Sequence, residues 1–321
     1  MMHIEQHGPV LAIRMSRSFF GRPFWWTTAY WVDGILIDTG PRFAVGGLLQ
    51  ALSKVEVNHI VLTHSHADQI GGLAQVHERY PTAAIYAARQ ALPAIREPKV
   101  EQIPLYSRLI WGRPQPCTAV HSLDEVNNMI CGRQYTLRVI ETPGHAPDHI
   151  ALFEPHHRWL FSGDVFVHGQ DEAWVAEADL FGVVSSLRTL ATLHPERLFP
   201  SDGYISRTPL PELHGKISAL VHLAHEVARL DALGFSTAEM VVQLLHKEPP
   251  IHFWTMGHYS AAKLINACRS YNAIFSPFAN GAAAPSTAQN TTQTTDPDDA
   301  SDDSSNDSST NWPIDWEDLI R

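Results

Sequence analysis

The stretch NHIVLTHSHADQIGG, residues 58–72, carries the clearest candidate chemistry in the chain. Its apolar run predicts a short buried strand, and His64 and His66 lie at the end of that strand. Side chains at positions i and i+2 of an extended backbone point to the same side, so both imidazoles can bind one metal ion. Asp68 follows in the turn that opens the next helix and adds a carboxylate at the same place. The spacing therefore predicts a metal site at a strand-to-helix turn.

Two later segments place the same kinds of side chain after predicted strands. His145 follows the Thr-Pro-Gly turn of ETPGHAPDH, and Asp164 follows the strand residues of FSGD. Three imidazoles and one carboxylate suit zinc or iron. A structural zinc site would normally contain cysteines, but Cys117, Cys131 and Cys268 are not near these motifs. The pattern therefore favours a catalytic metal site.

Five motifs in order along the chain resemble the metallo-β-lactamase fold superfamily of hydrolases, which includes glyoxalase II-like enzymes. The motifs are ILIDTG, THSHADQIGG, TPGHAPDHIAL, FSGDVF and LFPSDG, and the resemblance covers roughly residues 9–205. Each motif alone is weak, but the ordered set is specific. The resemblance implies a four-layer αββα sandwich of the α/β class, with metal ions at one edge between two mixed sheets.

The same resemblance assigns roles to the metal-binding residues. The first metal site would be formed by His64, His66 and His145. Asp164 would bridge the two sites, and Asp68 would bind the second ion. His149, in HAPDH, matches a position that is commonly structural in the superfamily.

Two positions depart from the superfamily's pattern. The remaining ligands of the second site are usually histidines, and here those positions hold Gln69 and Asp202. A site made only of oxygen donors favours Mn²⁺, Mg²⁺ or Fe²⁺ over zinc. We expect zinc as the cofactor, with iron or manganese as alternatives. Two arrangements stay open: a single ion at the first site, or a second, weaker ion bound through Gln69 and Asp202.

The resemblance implies a metal-dependent hydrolase. A bound divalent ion lowers the pKa of its water from about 15.7 to about 7 and polarises a carbonyl. We therefore expect a metal-bound hydroxide to attack an ester-like carbonyl, in a thioester or a lactone. If no second ion binds, Asp68 is expected to act in catalysis by orienting the hydroxide or moving its proton. Tyr204, two residues after Asp202, is a candidate substrate contact.

Two other functions are compatible with the same residues. A single iron ion on histidines and a carboxylate would suit an oxidoreductase similar to the superfamily's persulfide dioxygenases. Alternatively, the chain could be a non-catalytic scaffold that keeps a metal ion and recruits a partner. Iron content and thiol-dependent oxygen uptake would separate the oxidoreductase from the hydrolase.

The chain is predicted to have three parts. Residues 1–208 alternate strands with helices and form the catalytic domain. Residues 209–275 form a C-terminal helical extension of three segments, separated by Gly234 and by the Pro249 and Pro250 pair. Residues 276–321 are rich in Ala, Ser, Thr, Asn, Asp and Pro, which predicts a disordered acidic tail.

Three further features could contact a substrate or a partner. Residues 97–116 are aromatic and rich in proline, which predicts a long loop or small insertion of the kind that often covers a binding site. The chain ends in NWPIDWEDLIR, so residues 311–321 could dock on a protein partner or on the protein itself. No histidine of the helical extension is predicted to bind metal, but His258 precedes the last helix and is the one to check.

Charge and hydropathy argue against other classes of partner. The net charge is −11, but nine acids and one base lie beyond residue 275, so the rest of the chain carries only −3. A nearly balanced body without a basic stripe argues against nucleic-acid binding. No segment approaches the roughly 20 apolar residues of a membrane span, and MMHIEQHGPV lacks the features of a signal peptide. We expect a cytoplasmic protein that acts on a small-molecule substrate and binds neither membrane nor nucleic acid.

Overall fold

The architecture is seen in a computed structural model, which describes residues 1–19 and 22–275. The acidic tail predicted at 276–321, with its docking segment at 311–321, lies outside the described residues. None of the described helices combines the length and the apolar composition that crossing a membrane requires. Two mixed β-sheets and the helices around them make up the described part of the chain.

The first sheet contains seven strands that lie side by side in chain order. They are β1 (Met2–His7), β2 (Val10–Phe19), β3 (Arg22–Val32), β4 (Ile35–Ile37), β5 (His59–Val61), β6 (Ala84–Ala87) and β7 (Val120–Ser122). Strands β1 to β4 are antiparallel to their neighbours, and β4 to β7 are parallel to one another. The residues that follow β4 and β5 therefore lie at one edge of the sheet.

The second sheet contains β8 (Met129–Cys131), β9 (Thr136–Glu141), β10 (Ile150–Glu154), β11 (Trp159–Gly163) and β12 (Arg197–Pro200). Their spatial order is β12, β11, β10, β9, β8, and all neighbours are antiparallel except β11 and β12. The segments HIALFEP and RWLFSGD contain β10 and β11, which pair as an antiparallel hairpin. Because β9, β11 and β12 run in the same direction, their C-terminal ends share one edge.

The described residues contain ten α-helices and several short 3₁₀ turns. The helices are α1 (Val45–Ala51), α2 (Ala67–Ile70), α3 (Leu73–Arg79), α4 (Leu92–Arg96), α5 (Leu105–Ile110), α6 (Leu180–Thr192), α7 (Pro209–Ala232), α8 (Thr237–Leu245), α9 (Pro250–Trp254) and α10 (Ala261–Phe275). Helix α5 lies within the proline-rich segment 97–116, so that segment contains a short helix as well as loop.

The apolar core has three parts, as a four-layer sandwich requires. Leu36 of the first sheet packs among side chains of α1, α3 and α4. Its neighbours Ile35 and Ile37 point to the opposite face, because side chains alternate along a strand, and pack with Phe161 of the second sheet. The other face of the second sheet packs on α6 around Leu187. The predicted αββα sandwich is confirmed.

The C-terminal helices α7, α8 and α10 pack in the same core as α6 and the second sheet. The sequence predicts three helical segments here, but the third is divided between α9 and α10. Met256 and Gly257 have φ angles of 51° and 77° at the division, and a left-handed glycine readily ends a helix. The predicted three segments are thus four helices, and His258 precedes the last of them as expected. The division creates a loop that contains His258 and Tyr259.

Candidate metal centre

Four of the residues predicted to bind metal meet at the edge where β5, β9 and β11 end. One ligand atom from each of His64, His66, His145 and Asp164 lies within 4.8 Å of the other three. Nδ1 of His66 is 3.1 Å from Nε2 of His145. Oδ2 of Asp164 is 3.5 Å from Nε2 of His64 and 3.4 Å from Nε2 of His145. The sequence spacing and the fold thus bring three imidazoles and a carboxylate to one point.

Thr63 determines which nitrogen of His64 faces this cluster. Oδ1 of Asp38 accepts from the Thr63 N–H and Oδ2 accepts from the Thr63 hydroxyl, both at 2.8 Å. Burial raises the pKa of Asp38, but two donors aimed at its two oxygens favour the ionised carboxylate. The Thr63 hydroxyl donates to Asp38, so its oxygen accepts from Nδ1–H of His64 at 3.1 Å. Nε2 of His64 then carries a lone pair toward the cluster.

That lone pair supplies a test of whether the residues suit a metal ion. Nε2 of His64 is buried and has no hydrogen-bond partner among the described residues. It faces Oδ2 of Asp164, which is also an electron-pair donor. A cation between two such electron-pair donors would satisfy both of them in this buried site. The four residues therefore fit a divalent metal ion.

The histidines of the cluster are held in the neutral form that a metal ligand needs. Burial, reinforced by the His145 imidazole, lowers the pKa of His66 to about 4. Burial likewise lowers the pKa of His145 to about 4. The pKa of His64 is lowered well below 6.5, first by burial and then by the neighbouring imidazoles. At neutral pH all three rings can donate a lone pair to a metal ion.

The carboxylates around the cluster are crowded. Burial, followed by the charge of Asp164, raises the pKa of Asp68 to about 7. Burial, followed by the charge of Asp202, raises the pKa of Asp164 to about 7. A positive ion would stabilise the charged form of both. Asp68 is buried beside the cluster, and its Oδ2 accepts from the Thr27 hydroxyl at 3.5 Å.

Gln69 lies outside the four-residue cluster and turns its nitrogen toward it. Nε2 of Gln69 donates to Oδ1 of Asp164 at 3.5 Å, and the Ser201 hydroxyl donates to the same oxygen. Oε1 of Gln69 is buried and has no hydrogen-bond partner in the described part of the chain. The amide orientation differs from the one a second-site ligand needs, in which the carbonyl oxygen points to the ion. Oδ1 of Asp164 is thus bound to two protein donors, while Oδ2 faces the histidines.

Asp202 also lies outside the cluster, and backbone groups bind its carboxylate. Oδ2 accepts from the N–H of His168 at 2.8 Å, and Oδ1 accepts from the N–H of Tyr204 at 2.9 Å. The Tyr204 ring is 42 % exposed and stacks on His168 with centroids 3.6 Å apart. Asp202 is close enough for its charge to act on Asp164. A metal-binding role for Asp202 and a substrate contact by Tyr204 stay predictions.

The segment after β4 anchors the short helix α2. The N–H and the hydroxyl of Thr39 both donate to the carbonyl oxygen of Gln69 at 2.8 Å. A Cβ on Gly72 would lie 2.6 Å from the carbonyl oxygen of Thr39, so only glycine allows this approach. The sequence predicts one helix after Asp68, whereas Gly71 and Gly72 divide it into α2 and α3.

Helix α6 anchors the loop that carries His145. The carbonyl oxygen of Gly144 accepts from the N–H of Asp179 at 2.8 Å. The Asp179 side chain caps α6 by accepting from two N–H groups of its first turn, both at 3.0 Å. Gly144 has a φ of 132°, and a Cβ there would lie 2.2 Å from the backbone nitrogen of Val183. The start of α6 therefore sets the position of His145.

His149 positions Asp164 and is not part of the cluster. Its Nδ1 is hydrogen-bonded to the Thr142 hydroxyl at 2.8 Å, and its Nε2 accepts from the N–H of Asp164 at 3.0 Å. Burial lowers the pKa of His149 well below its ordinary 6.5, which keeps Nε2 able to accept. The expectation from the resemblance, that His149 is structural, agrees with these bonds.

Five rings next to the cluster form what we call the aromatic wall, and sequence reasoning missed most of it. Its members are Trp25, Tyr106, Trp111, His258 and Tyr259. The proline-rich segment 97–116 and the position of His258 were signals for parts of it. Trp25 and Tyr259 gave no sequence signal, because only the fold brings them beside α5.

Comparisons with known proteins bear on the fold and the site. The family description that matches residues 27–202 is the metallo-beta-lactamase superfamily. The beta-lactamase-like protein 2 homolog of Drosophila melanogaster is 26 % identical over 70 % of this chain and 75 % of its own length. The hydroxyacylglutathione hydrolase of Bdellovibrio bacteriovorus is 29 % identical over 51 % and 55 %, respectively. The thioesterase pkgB of Emericella nidulans is 30 % identical over 53 % and 42 %.

Solved structures show the same fold. A beta-lactamase domain protein from Burkholderia ambifaria matches 84 % of this chain and 88 % of its own, with a TM-score of 0.65 and 18 % identity. A metallo-beta-lactamase family protein from Thermus thermophilus matches 83 % and 94 %, with a TM-score of 0.59 and 19 % identity. At these identities the likeness establishes the fold alone.

Proposed function

Because the chain belongs to the metallo-beta-lactamase superfamily of hydrolases, we propose that it hydrolyses ester-like substrates, thioesters or lactones. The observation that carries the proposal is the buried lone pair of His64 Nε2 facing Oδ2 of Asp164 at 3.5 Å, a pair of donors that a bound cation would satisfy. Similarity to proteins named hydroxyacylglutathione hydrolase and thioesterase supports a thioester.

The ion would be held by His64, His66, His145 and Asp164, and zinc suits this donor set. When bound, a divalent ion lowers the pKa of water and polarises a carbonyl. The protein supplies the orientation of the donors: Thr63 fixes the tautomer of His64, and His149 holds the backbone of Asp164. Such partners of ligating residues maintain ligand geometry.

We propose that a single ion binds. Oδ1 of Asp164, the oxygen that would face a second ion, already accepts from Gln69 and Ser201. Both oxygens of Asp202 accept from backbone N–H groups. A second ion would have to compete with these donors for the carboxylate oxygens, and Gln69 would have to rotate its amide. The arrangement of protein donors thus favours a single ion.

Asp68 is the proposed proton carrier. Its Oδ2 accepts from Thr27, which leaves Oδ1 to take a proton from the attacking water. The water oxygen bonds to the carbonyl carbon, and the bond from that carbon to the thiol sulfur or alcohol oxygen then breaks. Asp68 returns the proton to the leaving group, so the products are a carboxylic acid and a thiol or alcohol.

Metal content per chain, measured by elemental analysis on protein purified without chelator, tests the proposal together with a thioester and lactone panel. About one zinc, with hydrolysis that is lost on chelation and restored by zinc, is expected. About one iron, with thiol-dependent oxygen uptake and no ester cleavage, would contradict the proposal and favour the dioxygenase alternative. Protein that binds metal but catalyses neither reaction would favour the scaffold.

Matched variants assign the roles. Asp68→Asn should keep the metal and lower kcat by about 10²–10⁴-fold, the usual contribution of a positioned proton carrier. His64→Ala should lose the metal as well as activity. The control is His225→Ala, an exposed histidine on α7, which should change neither. Full activity in Asp68→Asn would remove Asp68 from the mechanism.

A further inference from the structure

We propose that the aromatic wall is the binding site for the acyl group of the substrate, and that it selects flat, uncharged acyl groups such as aryl and arylalkyl groups. The inference rests on the proposed function in one respect: the carbonyl of that acyl group is taken to lie at the metal centre. It goes further in naming the chemical class of substrate and the residues that select it.

The wall is built from three distant parts of the chain. Trp25 lies on β3, Tyr106 and Trp111 lie on and just after α5, and His258 and Tyr259 lie in the loop between α9 and α10. Trp25 is 5.8 Å from Trp111 and 5.7 Å from Tyr259 between ring centroids. Tyr106 is 5.9 Å from Trp111 and 5.5 Å from His258. These centroid distances are typical of aromatic contacts, and the pairs of Trp111 with Trp25 and with Tyr106 are edge-to-face, so the rings support one another.

The wall adjoins the metal centre directly. Ala67, which stands between His66 and Asp68 in the chain, is buried in one apolar cluster with Tyr106 and Trp111. Burial, followed by the charges of Tyr106, Asp68 and Asp164, raises the pKa of Tyr259. The Tyr259 ring is therefore within electrostatic reach of both carboxylates. A group held against this wall would have its neighbouring atoms at the cluster.

The rings differ in exposure in the way that a binding surface requires. Tyr106 and Trp111 are buried, and they form the back of the wall. Trp25, His258 and Tyr259 are half-buried, so part of each ring remains available for contact.

The charges near the wall favour an uncharged acyl group. Burial raises the pKa of Tyr106, and the charges of Asp68 and then Glu177 raise it further, so both carboxyl groups lie near the wall. Lys263 is a base near the wall, and its charge lowers the pKa of His258, after burial has lowered it. Its Nζ donates a hydrogen bond to the carbonyl oxygen of His258 at 2.7 Å. An acyl group that carried a carboxylate would be repelled by Glu177. Aryl groups gain from stacking and carry no such charge.

The first test compares two thioesters on the full-length, zinc-loaded protein. The substrates are S-phenylacetyl and S-acetyl N-acetylcysteamine, which differ only in the aryl group. The wall should raise kcat/KM for the phenylacetyl thioester by about 10–100-fold, the range for filling an apolar subsite. Tyr259→Ala should remove most of that preference, so that its kcat/KM values for the two thioesters become similar. Tyr259→Phe keeps the ring and should retain the preference.

The matched control is Phe253→Ala. Phe253 is an aromatic residue of α9 that is 88 % exposed and is not part of the wall, so its loss should change neither substrate. Circular dichroism and thermal unfolding of each variant show that the fold is kept. A Trp25→Ala variant, on a different element, should reproduce the loss of preference if the wall acts as one surface.

The second test measures binding without turnover. The probe is the ketone in which CH₂ replaces the thioester sulfur of the phenylacetyl substrate, and tryptophan fluorescence reports its binding. Tyr259→Ala should raise its Kd by about 10-fold or more. Binding that Tyr259→Ala weakens, with no thioester cleaved by the zinc-loaded protein, would retain the subsite and overturn the proposed hydrolase. Equal kcat/KM for both thioesters in the unaltered protein would overturn the subsite and leave the hydrolase intact.

Discussion

Thr63 connects buried Asp38 to His64, and this connection decides which imidazole nitrogen faces the cluster. The hydroxyl donates to one side and accepts on the other, so its two hydrogen bonds have a fixed direction. Because the three residues are fully or almost fully buried, water does not compete for these bonds. A side chain that never touches the ion can therefore control its affinity.

Thr63→Val tests this control. Valine keeps the branched shape but removes the hydroxyl, so either nitrogen of His64 can carry the proton. We expect zinc affinity, measured by competition with a chromophoric chelator, to fall by about 10–100-fold. Thr63→Ser keeps the hydroxyl and should restore most of the affinity. Equal affinity in all three proteins would mean that the hydrogen bond does not orient His64.

The pair Gln69→His and Asp202→His tests the one-ion proposal. Imidazoles at both positions would supply the nitrogen donors that the second site lacks, and would remove the Gln69 donor from Asp164. Elemental analysis should then give about two zinc ions per chain in place of one. Gln69→Ala, which removes the donor but adds no ligand, should still bind one. Two ions in the unaltered protein would contradict the proposal.

The residue types and spacing were sufficient to predict the four residues that meet, because strand ends and i, i+2 spacing bring side chains together predictably. They were not sufficient for Gln69. Its amide can present either oxygen or nitrogen, and the choice depends on Asp164 and Ser201, which come from other strands. A sequence does not reveal such long-range partners.

At the scale of secondary structure, the loops that carry ligands are positioned by the starts of helices. Helix α6 packs so closely on the His145 loop that only a residue without a side chain fits at position 144. Helix α2 begins directly after His66 and is tied to the segment after β4. The metal centre therefore depends on contacts between elements as well as on the strand ends.

Gly144→Ala tests the dependence on α6. A Cβ would lie 2.2 Å from the backbone of Val183, so the loop must move and take His145 with it. We expect at least about a tenfold loss of zinc affinity, as for other changes that displace a ligand. Gly169→Ala is the control, since Gly169 also has a positive φ but a Cβ there meets nothing within 4 Å. Equal zinc affinity in the two variants would show that the contact between Gly144 and α6 does not set the position of His145.

The order of most strands and helices could be predicted, since apolar runs and turn residues alternate clearly through the first 200 residues. The break between α9 and α10 could not. Met256 and Gly257 adopt left-handed conformations there, which a helical pattern of residue types does not reveal. The loop that carries His258 and Tyr259 is thus the part of the helical extension that local sequence patterns predict least well.

At the scale of the whole molecule, two buried cysteines belong to different apolar cores. Cys117 belongs to the core between the first sheet and its helices, and Cys268 to the core of the C-terminal helices. Burial raises the pKa of Cys117 and raises that of Cys268 to about 12. Cys131 is exposed. The reactivity of Cys117 and of Cys268 can therefore report separately on the unfolding of the core that each belongs to.

We expect one thiol per native chain to react rapidly with Ellman's reagent at pH 8, and three in guanidinium chloride, since only Cys131 is accessible as a thiolate. Mass spectrometry after labelling identifies the residue. If Cys268 becomes reactive at a lower denaturant concentration than Cys117, the helical extension unfolds first, as the predicted division at residue 209 implies. Simultaneous exposure would mean that both layers unfold together.

The aromatic wall has a consequence for the timing of protein synthesis. Ser201, which donates to Asp164, is synthesised about 58 residues before Tyr259. At about 5–20 residues per second, the ribosome needs roughly 3–12 s for that stretch. The four cluster residues, α6 and β12 are thus all made before the residue that completes the surface for the acyl group. A chain that ends between these two points would keep the donors for the ion but lack the residue that distinguishes one acyl group from another.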